Sequence, residues 1–194
     1  MLKTNDSRLL APAHGQGVRV VPDELVLPIR LRSQGKEPLD VAAGLAERFR
    51  STQQLVGAME PARYRSWTEK LAGKSFGSHG VRHHAEALVL LRRALGGADF
   101  FERVQLLETL RGVLAPINDG SAVAVGIPEW RVSSPEAHRE AALRLHKERV
   151  DVSCATLGVT LGEVSGSHDL VVECASPVLA YVRLNLTIQL SSAA

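Results

Sequence analysis

The sequence predicts an α+β fold, an antiparallel or mixed sheet with helices packed on one face, and three observations carry that expectation. Apolar residues alternate with others over residues 25–31 and again over residues 182–190, the period-two pattern of strands with one buried face. Apolar residues recur at helical spacing in three further stretches. Taken along the chain the elements run β-α-β-β-α-β-α-β-β, an order that suits helices gathered on one side of a sheet whose neighbouring strands are antiparallel.

Residues 1–16 are polar and then punctuated by Pro and Gly, so they read as a flexible leader. Residues 17–192 read as a single domain. In the first strand Leu25, Leu27, Ile29 and Leu31 share one face. Pro28 lacks the N–H that a ladder needs, so this strand is expected at a sheet edge or with a bulge there. Pro38 opens the first helix, in which Ala42, Leu45, Ala46, Phe49 and Val56 recur, and Gly57 ends it. Residues 64–95 are the hardest stretch. Tyr64 and Trp67 suggest a strand, residues 73–80 a loop, and the run Leu88-Val-Leu-Leu is ambiguous by period alone, with a hairpin the favoured reading.

Asp99 is placed to cap a second helix whose stripe is Phe100, Val104, Leu107, Leu110 and Leu114, and Pro116 stops it. Residues 121–132 read as one strand with Val123 and Val125 on a common face. Ser133 and Glu136 have capping-box spacing, Pro135 suits the first turn, and the third helix runs through Ala137, Ala141, Leu145 and Val152 to Leu157, where Gly158 stops it. Residues 160–165 read as a short strand. In the last strand Val182, Leu184, Leu186, Ile188 and Leu190 point one way, and Tyr181, Arg183, Asn185, Thr187 and Gln189 the other.

Composition narrows the function classes. The 194 residues are 45% apolar and 23% charged, ordinary globular usage that fits one sizeable core. With only four Phe, two Trp and two Tyr, that core is mostly Leu, Val and Ala, which specify packing less sharply than aromatics and lean on neighbours. The formal charge is +2 and the basic residues form no contiguous run, so no nucleic-acid partner is expected. Cys154 and Cys174 read as free thiols. Asp6 and Arg8 interrupt the N-terminal apolar residues, and no window reaches the length of a membrane span. As written the chain is expected in the cytoplasm, or in the periplasm if its N-terminus is truncated.

Two stretches resemble a known family. The segment Gly17-Val-Arg-Val-Val-Pro-Asp-Glu-Leu-Val-Leu-Pro-Ile-Arg-Leu, with its Pro22-Asp23 pair before an alternating strand and an Ala-rich helix, resembles the opening of SIMPL-domain (DUF541) proteins. The segment from Glu140 through Leu157-Gly-Val-Thr-Leu-Gly-Glu-Val resembles that family's late helix running into a strand, and the terminal alternating strand stands where the family has one. The order agrees over about residues 17–190 and matches poorly over 64–95. The resemblance implies a SIMPL-like α+β domain without catalytic residues. It further implies a homo-oligomer, ring- or barrel-shaped, or a protein partner, in stress- or envelope-related physiology. Members are usually exported, and the N-terminus written here has no such signal.

Each candidate for chemistry has a plainer reading beside it. Gly73-Lys-Ser resembles the end of a phosphate-binding loop, but position 68 is Thr where that loop needs Gly, so a hairpin loop is favoured. His79, His83 and His84, with Glu86, are the densest group of potential metal ligands, and a small metal- or ligand-binding enzyme using residues 79–86 is the competing function. His83 and His84 would face opposite sides of a strand, which favours a solvated loop without a bound metal or cofactor. His138 and His146 lie near carboxylates on a helix whose charges suit ordinary surface pairs. Cys154 lies near that helix's C-terminal end, where the dipole disfavours a thiolate. The uncharged-leaning face of the last strand, Tyr181, Arg183, Asn185, Thr187 and Gln189, is the candidate subunit interface. A third possibility is a monomeric adaptor that seats a peptide on a free sheet edge.

Overall fold

The computed structural model describes residues 17–72 and 79–192. Backbone contacts group the chain into two units, one made of residues 23–130 and the other of residues 1–22 with 131–194. Both are α+β. No helix among the described residues is long and apolar enough to cross a membrane.

The unit of residues 23–130 is built on a sheet in the order β3-β4-β2-β5. Here β2 is Glu24–Gly35, β3 Glu60–Ala72, β4 His79–Ala94 and β5 Val123–Val125. A further short strand, β6 (Glu129–Arg131), also pairs with β2. Helix α1 (Pro38–Val56) follows β2, and α2 (Phe100–Leu114) follows β4. The alternation over 25–31 does what its period requires: Leu25, Leu27, Ile29 and Leu31 are all buried to within 1% of complete. They form one cluster with Val89 and Leu91 of β4, Val41, Leu45 and Val56 of α1, and Leu110 and Leu114 of α2. Both helices therefore draw on the same face of the sheet. Each of those β2 side chains contributes about 1.5–3 kcal/mol by leaving water.

The helices start and stop where local chemistry dictates. Pro38 sits in the first turn of α1, and Arg93 donates to the Val56 carbonyl at its other end, where the helix dipole favours a cation. The buried stripe is Val41, Leu45, Phe49, Thr52 and Val56, while Ala42 and Ala46 lie on its exposed shoulder. In α2, Asp99 accepts from the Glu102 amide and the Glu102 carboxylate accepts from the Asp99 amide, a complete capping box. Of its expected stripe Leu110 and Leu114 are buried and Val104 and Leu107 half-buried, but Phe100 is exposed. Arg103 is buried as well, its Nε donating to the Ala98 carbonyl at 2.6 Å.

β3 and β4 pair antiparallel from Glu60↔Leu90 to Ala72↔His79, the hairpin of the favoured reading, and residues 79 and 80, expected in a loop, belong to β4. The expected edge position of Pro28 is wrong: β2 pairs with β4 along its whole length and with β5 on its other side. The Pro28 carbonyl accepts from Gly126 at 2.8 Å, one residue beyond the end of β5. A residue's N and C=O point the same way in an extended strand, so the missing donor faces the gap after β5 and costs the β2–β4 ladder nothing. Gly126 is needed at that point, since a Cβ there would lie 2.8 Å from the Pro28 ring. The chain leaves the sheet at Gly126 and returns at β6, so the single strand expected over 121–132 is two.

The other unit has a sheet in the order β1-β8-β7, with β1 Val18–Val20, β7 Val159–Ser176 and β8 Leu179–Ser192. Helix α3 (Arg139–Leu157) packs on β8 and β7. A single 3₁₀ turn, Pro135–His138, leads into α3, and the Glu136 carboxylate takes the Arg139 guanidinium at 2.5 and 2.8 Å. Gly158 ends α3 in the left-handed region (φ 61°), as a glycine stop should. The strand expected over 160–165 continues to Ser176, interrupted by register shifts. Among the described residues the buried apolar side chains of this unit are Pro22, Ala142, Ala180, Val182 and Leu184, while Val152 and Leu157 of α3 are exposed.

Candidate functional site

The face of the β3-β4-β2 sheet turned away from α1 and α2 carries an ordered set of charges. On that face β2 presents Glu24, Arg30 and Arg32, β4 presents Arg82, His84, Glu86 and Arg92, and β3 presents Glu60, Arg63, Arg65, Trp67 and Glu69. Glu86 stands directly opposite Arg32 on one side and Arg65 on the other. Its two carboxylate oxygens take Arg32 Nε at 2.7 Å and Arg65 Nη2 at 3.0 Å, with Arg30 at 3.8 Å. Burial raises the Glu86 pKa, but the hydrogen bonds and charges of Arg32 and Arg65 outweigh it and hold the carboxyl below its ordinary value. Six residues along β4 the arrangement inverts: Arg92 reaches Glu60 at 2.7 Å and Glu24 at 3.0 Å.

The aromatic residue of this face joins the network. Trp67 stacks on His84, its cross-strand neighbour, with ring centroids 5.0 Å apart, and the Arg65 guanidinium lies 5.1 Å from the Trp67 centroid. His84 Nε2 is 3.1 Å from Glu69. A compact set of Arg, Trp, His and Glu side chains thus locks three strands together while leaving Trp67 and the outer arginines in contact with solvent. The arginines do gather on one face, which spacing along the chain did not reveal, but four glutamates interleave with them and the face has no single sign.

The helix-side surface of the same hairpin forms an open groove of about 370 Å³ against the start of α1. Tyr64, Ser66 and Thr68 of β3 line it with His83 of β4 and Pro38 and Val41 of α1. His83 and His84 are on opposite faces, as their adjacency in a strand demands. Glu86 is committed to arginines and His84 to Trp67 and Glu69, so His83, His84 and Glu86 do not converge. The side chain of His79 and residues 73–75 lie outside the described residues, as does the leader. Among the described residues no three His, Cys, Asp or Glu side chains are grouped to hold a metal.

The strand proposed as an interface, β8, is central in its sheet, between β1 and β7. Its alternation holds over residues 181–185, where Val182 and Leu184 are buried, Tyr181 and Arg183 half-buried and Asn185 exposed; Leu186 is half-buried, and the side chains of Ile188 and Leu190 lie outside the described residues. The side chains of Thr187 and Gln189 lie outside the described residues. Tyr181 is opposite Arg19 of β1 and Glu173 of β7. On α3, His146 is half-buried, and burial first, then the Arg149 charge, hold its pKa below the ordinary range. Cys154 and Cys174 are free thiols.

The most exposed regular element is β3, the edge strand of its sheet. Every residue from Glu60 to Lys70 is exposed, including Tyr64 and Trp67. Its place at the edge is a matter of sheet order, with which its charged residues Arg63, Arg65, Glu69 and Lys70 are in keeping. Compared with known protein families and with curated proteins, the chain matches no family model and no curated protein.

Proposed function

We propose that the protein is a non-enzymatic, SIMPL-like α+β protein that works by assembling with copies of itself or with a protein partner, in a ring or barrel and in stress- or envelope-related physiology. The observation that carries this reading is β3, an edge strand of 13 residues with a free backbone edge and two exposed aromatic side chains. A long exposed edge is a template for another strand, and a partner that covers it removes the hazard. The scarcity of aromatic residues adds support, since it leaves stability to be gained from neighbours. The element order on either side of α1 and α3 supports the family resemblance.

Light scattering on the purified chain tests the reading. A particle several times the mass of the 20.9 kDa chain is expected, with rings or barrels in electron micrographs. A strict monomer at roughly tens of micromolar overturns self-assembly. The edge would then serve the alternative role of seating an extended peptide from another protein.

A further inference from the structure

We infer that β3 pairs antiparallel with β3 of a second copy, about a two-fold axis through Ser66, so that the two sheets become one. This rests on the assembly reading above and specifies one of its contacts, the one that joins copies in pairs. Two antiparallel copies of one strand, related by an axis normal to the sheet, keep the same face on the same side, so residues meet in pairs of equal parity. Ser66 is the midpoint of Glu60–Ala72, and this register alone lets the strand overlap along its whole length.

The pairs it creates are complementary. Arg63 meets the partner's Glu69, and by symmetry the partner's Arg63 meets Glu69. Arg65 meets the partner's Trp67, which extends the cation–π contact already made within each chain. Tyr64 meets the partner's Thr68 on the opposite face. Among the described residues Arg63 has no ion-pair partner in its own chain, although it is exposed and flanked by charged neighbours. Glu69 has one oxygen turned to His84 and a second open to a further donor. Neighbouring registers are poorer. Sliding one way sets Arg65 on the partner's Arg65, and like charges directly opposite are unfavourable. Sliding the other way sets Arg65 against the partner's Glu69 and Trp67 against Trp67, but it leaves Arg63 facing Leu71 and draws Arg65 away from Glu86. The bulge between Pro61 and Arg63 lies outside the central run that the symmetry uses, residues 63–69.

The experiment combines a charge swap with a register-specific cross-link in the full chain. Arg63→Glu and Glu69→Arg each place two like-charge pairs at the junction and should weaken the dimer dissociation constant about tenfold, since each cross-strand pair is modest. The double variant restores opposite charges and should return within about threefold of wild type. Ser66→Cys, with Cys154→Ser and Cys174→Ser, should oxidise to a covalent dimer, because directly opposed strand residues have Cα atoms about 4.5–5.5 Å apart, inside the disulfide range. Circular dichroism confirms that each variant folds, and these exposed positions leave the core intact. A wild type that assembles while the swap has no effect and Ser66→Cys stays reduced overturns this register and leaves the assembly reading standing. A Trp67→Cys chain that cross-links in place of Ser66→Cys overturns it in favour of the shifted register. A monomeric wild type overturns both.

Discussion

Glu86 and Arg92 occupy the same face of β4 and are charge-inverted counterparts: Glu86 gathers Arg32 and Arg65, and Arg92 gathers Glu24 and Glu60. Each joins the two strands that flank β4. Glu86 is the more buried centre, with 10% of its side chain exposed, while its arginines remain open to water. Replacing Glu86 by Gln leaves those guanidiniums facing one another across a neutral group, and the expected cost is about 1–2 kcal/mol in chemical denaturation, with the arginines' exposure keeping it from being larger. The sign with pH follows from the lowered pKa. The Glu86 contribution is complete above the ordinary carboxyl value of 4.5 and is lost as pH falls through the lower folded value. The stability gap between wild type and Glu86→Gln should therefore shrink below about pH 4.5 and vanish in stronger acid.

Asp119 organises the approach to β5. Its Oδ1 accepts from the amides of Ser121, Ala122 and Val123 at 2.7–3.0 Å. The Val123 hydrogen bond is the leading cause that holds its carboxyl below the usual range. Asp119→Ala should speed amide exchange at residues 121–125 while leaving the β2–β4 ladder protected, as read by hydrogen-exchange mass spectrometry. In the wild type the same amides should lose protection on acidification through the lowered Asp119 value.

The capping box of α2 makes a separate prediction. Asp99→Ala removes one acceptor and strands the reciprocal Glu102 contact, at a cost of about 1 kcal/mol. Asp99→Asn, which keeps an acceptor, should recover most of it in thermal denaturation followed by circular dichroism.

Leu31 and Leu39 test the depth of the core. Leu31 is fully buried within the cluster formed by β2, β4 and the helices, and Leu31→Ala should cost about 3 kcal/mol. Leu39 is 83% exposed at the start of α1, so Leu39→Ala should stay within about 0.5 kcal/mol of wild type.

Much of the fold was legible wherever one period dominated. The alternation of Leu25 to Leu31, the Pro38 and Gly57 limits of α1, the Asp99 cap and the Gly158 stop all arise from interactions between near neighbours in sequence. Strand β7 was legible only over residues 160–165, because its register shifts, between Leu161 and Val164 and between Gly166 and Leu170, break the two-residue period on which recognition depends. Pro28 misled for a different reason: the edge rule concerns the side to which the nitrogen points, and only the end of β5 reveals that side. The Glu86 network was invisible in principle, since Arg32, Arg65 and Glu86 lie on three strands and meet only through pairing register. The exposure of β3 was likewise a property of sheet order.

The pairing of β1 with β8 gives the chain a fixed order of completion. Val20 is opposite Ala180, so β1 is made before residues 23–130 and finds its neighbour only after them. The unit of residues 23–130 is continuous in sequence and interrupts the other. On the ribosome it can close as soon as its own residues have emerged, whereas the β1-β8-β7 sheet waits for β8. During that interval β1 lacks its partner strand, and residues 131–178 are a helix and half a hairpin without their central strand. Such partly made sheets are the states in which chains stray into wrong partners. Slowing elongation after residue 130 should therefore leave the first unit resistant to protease while the second remains cleavable.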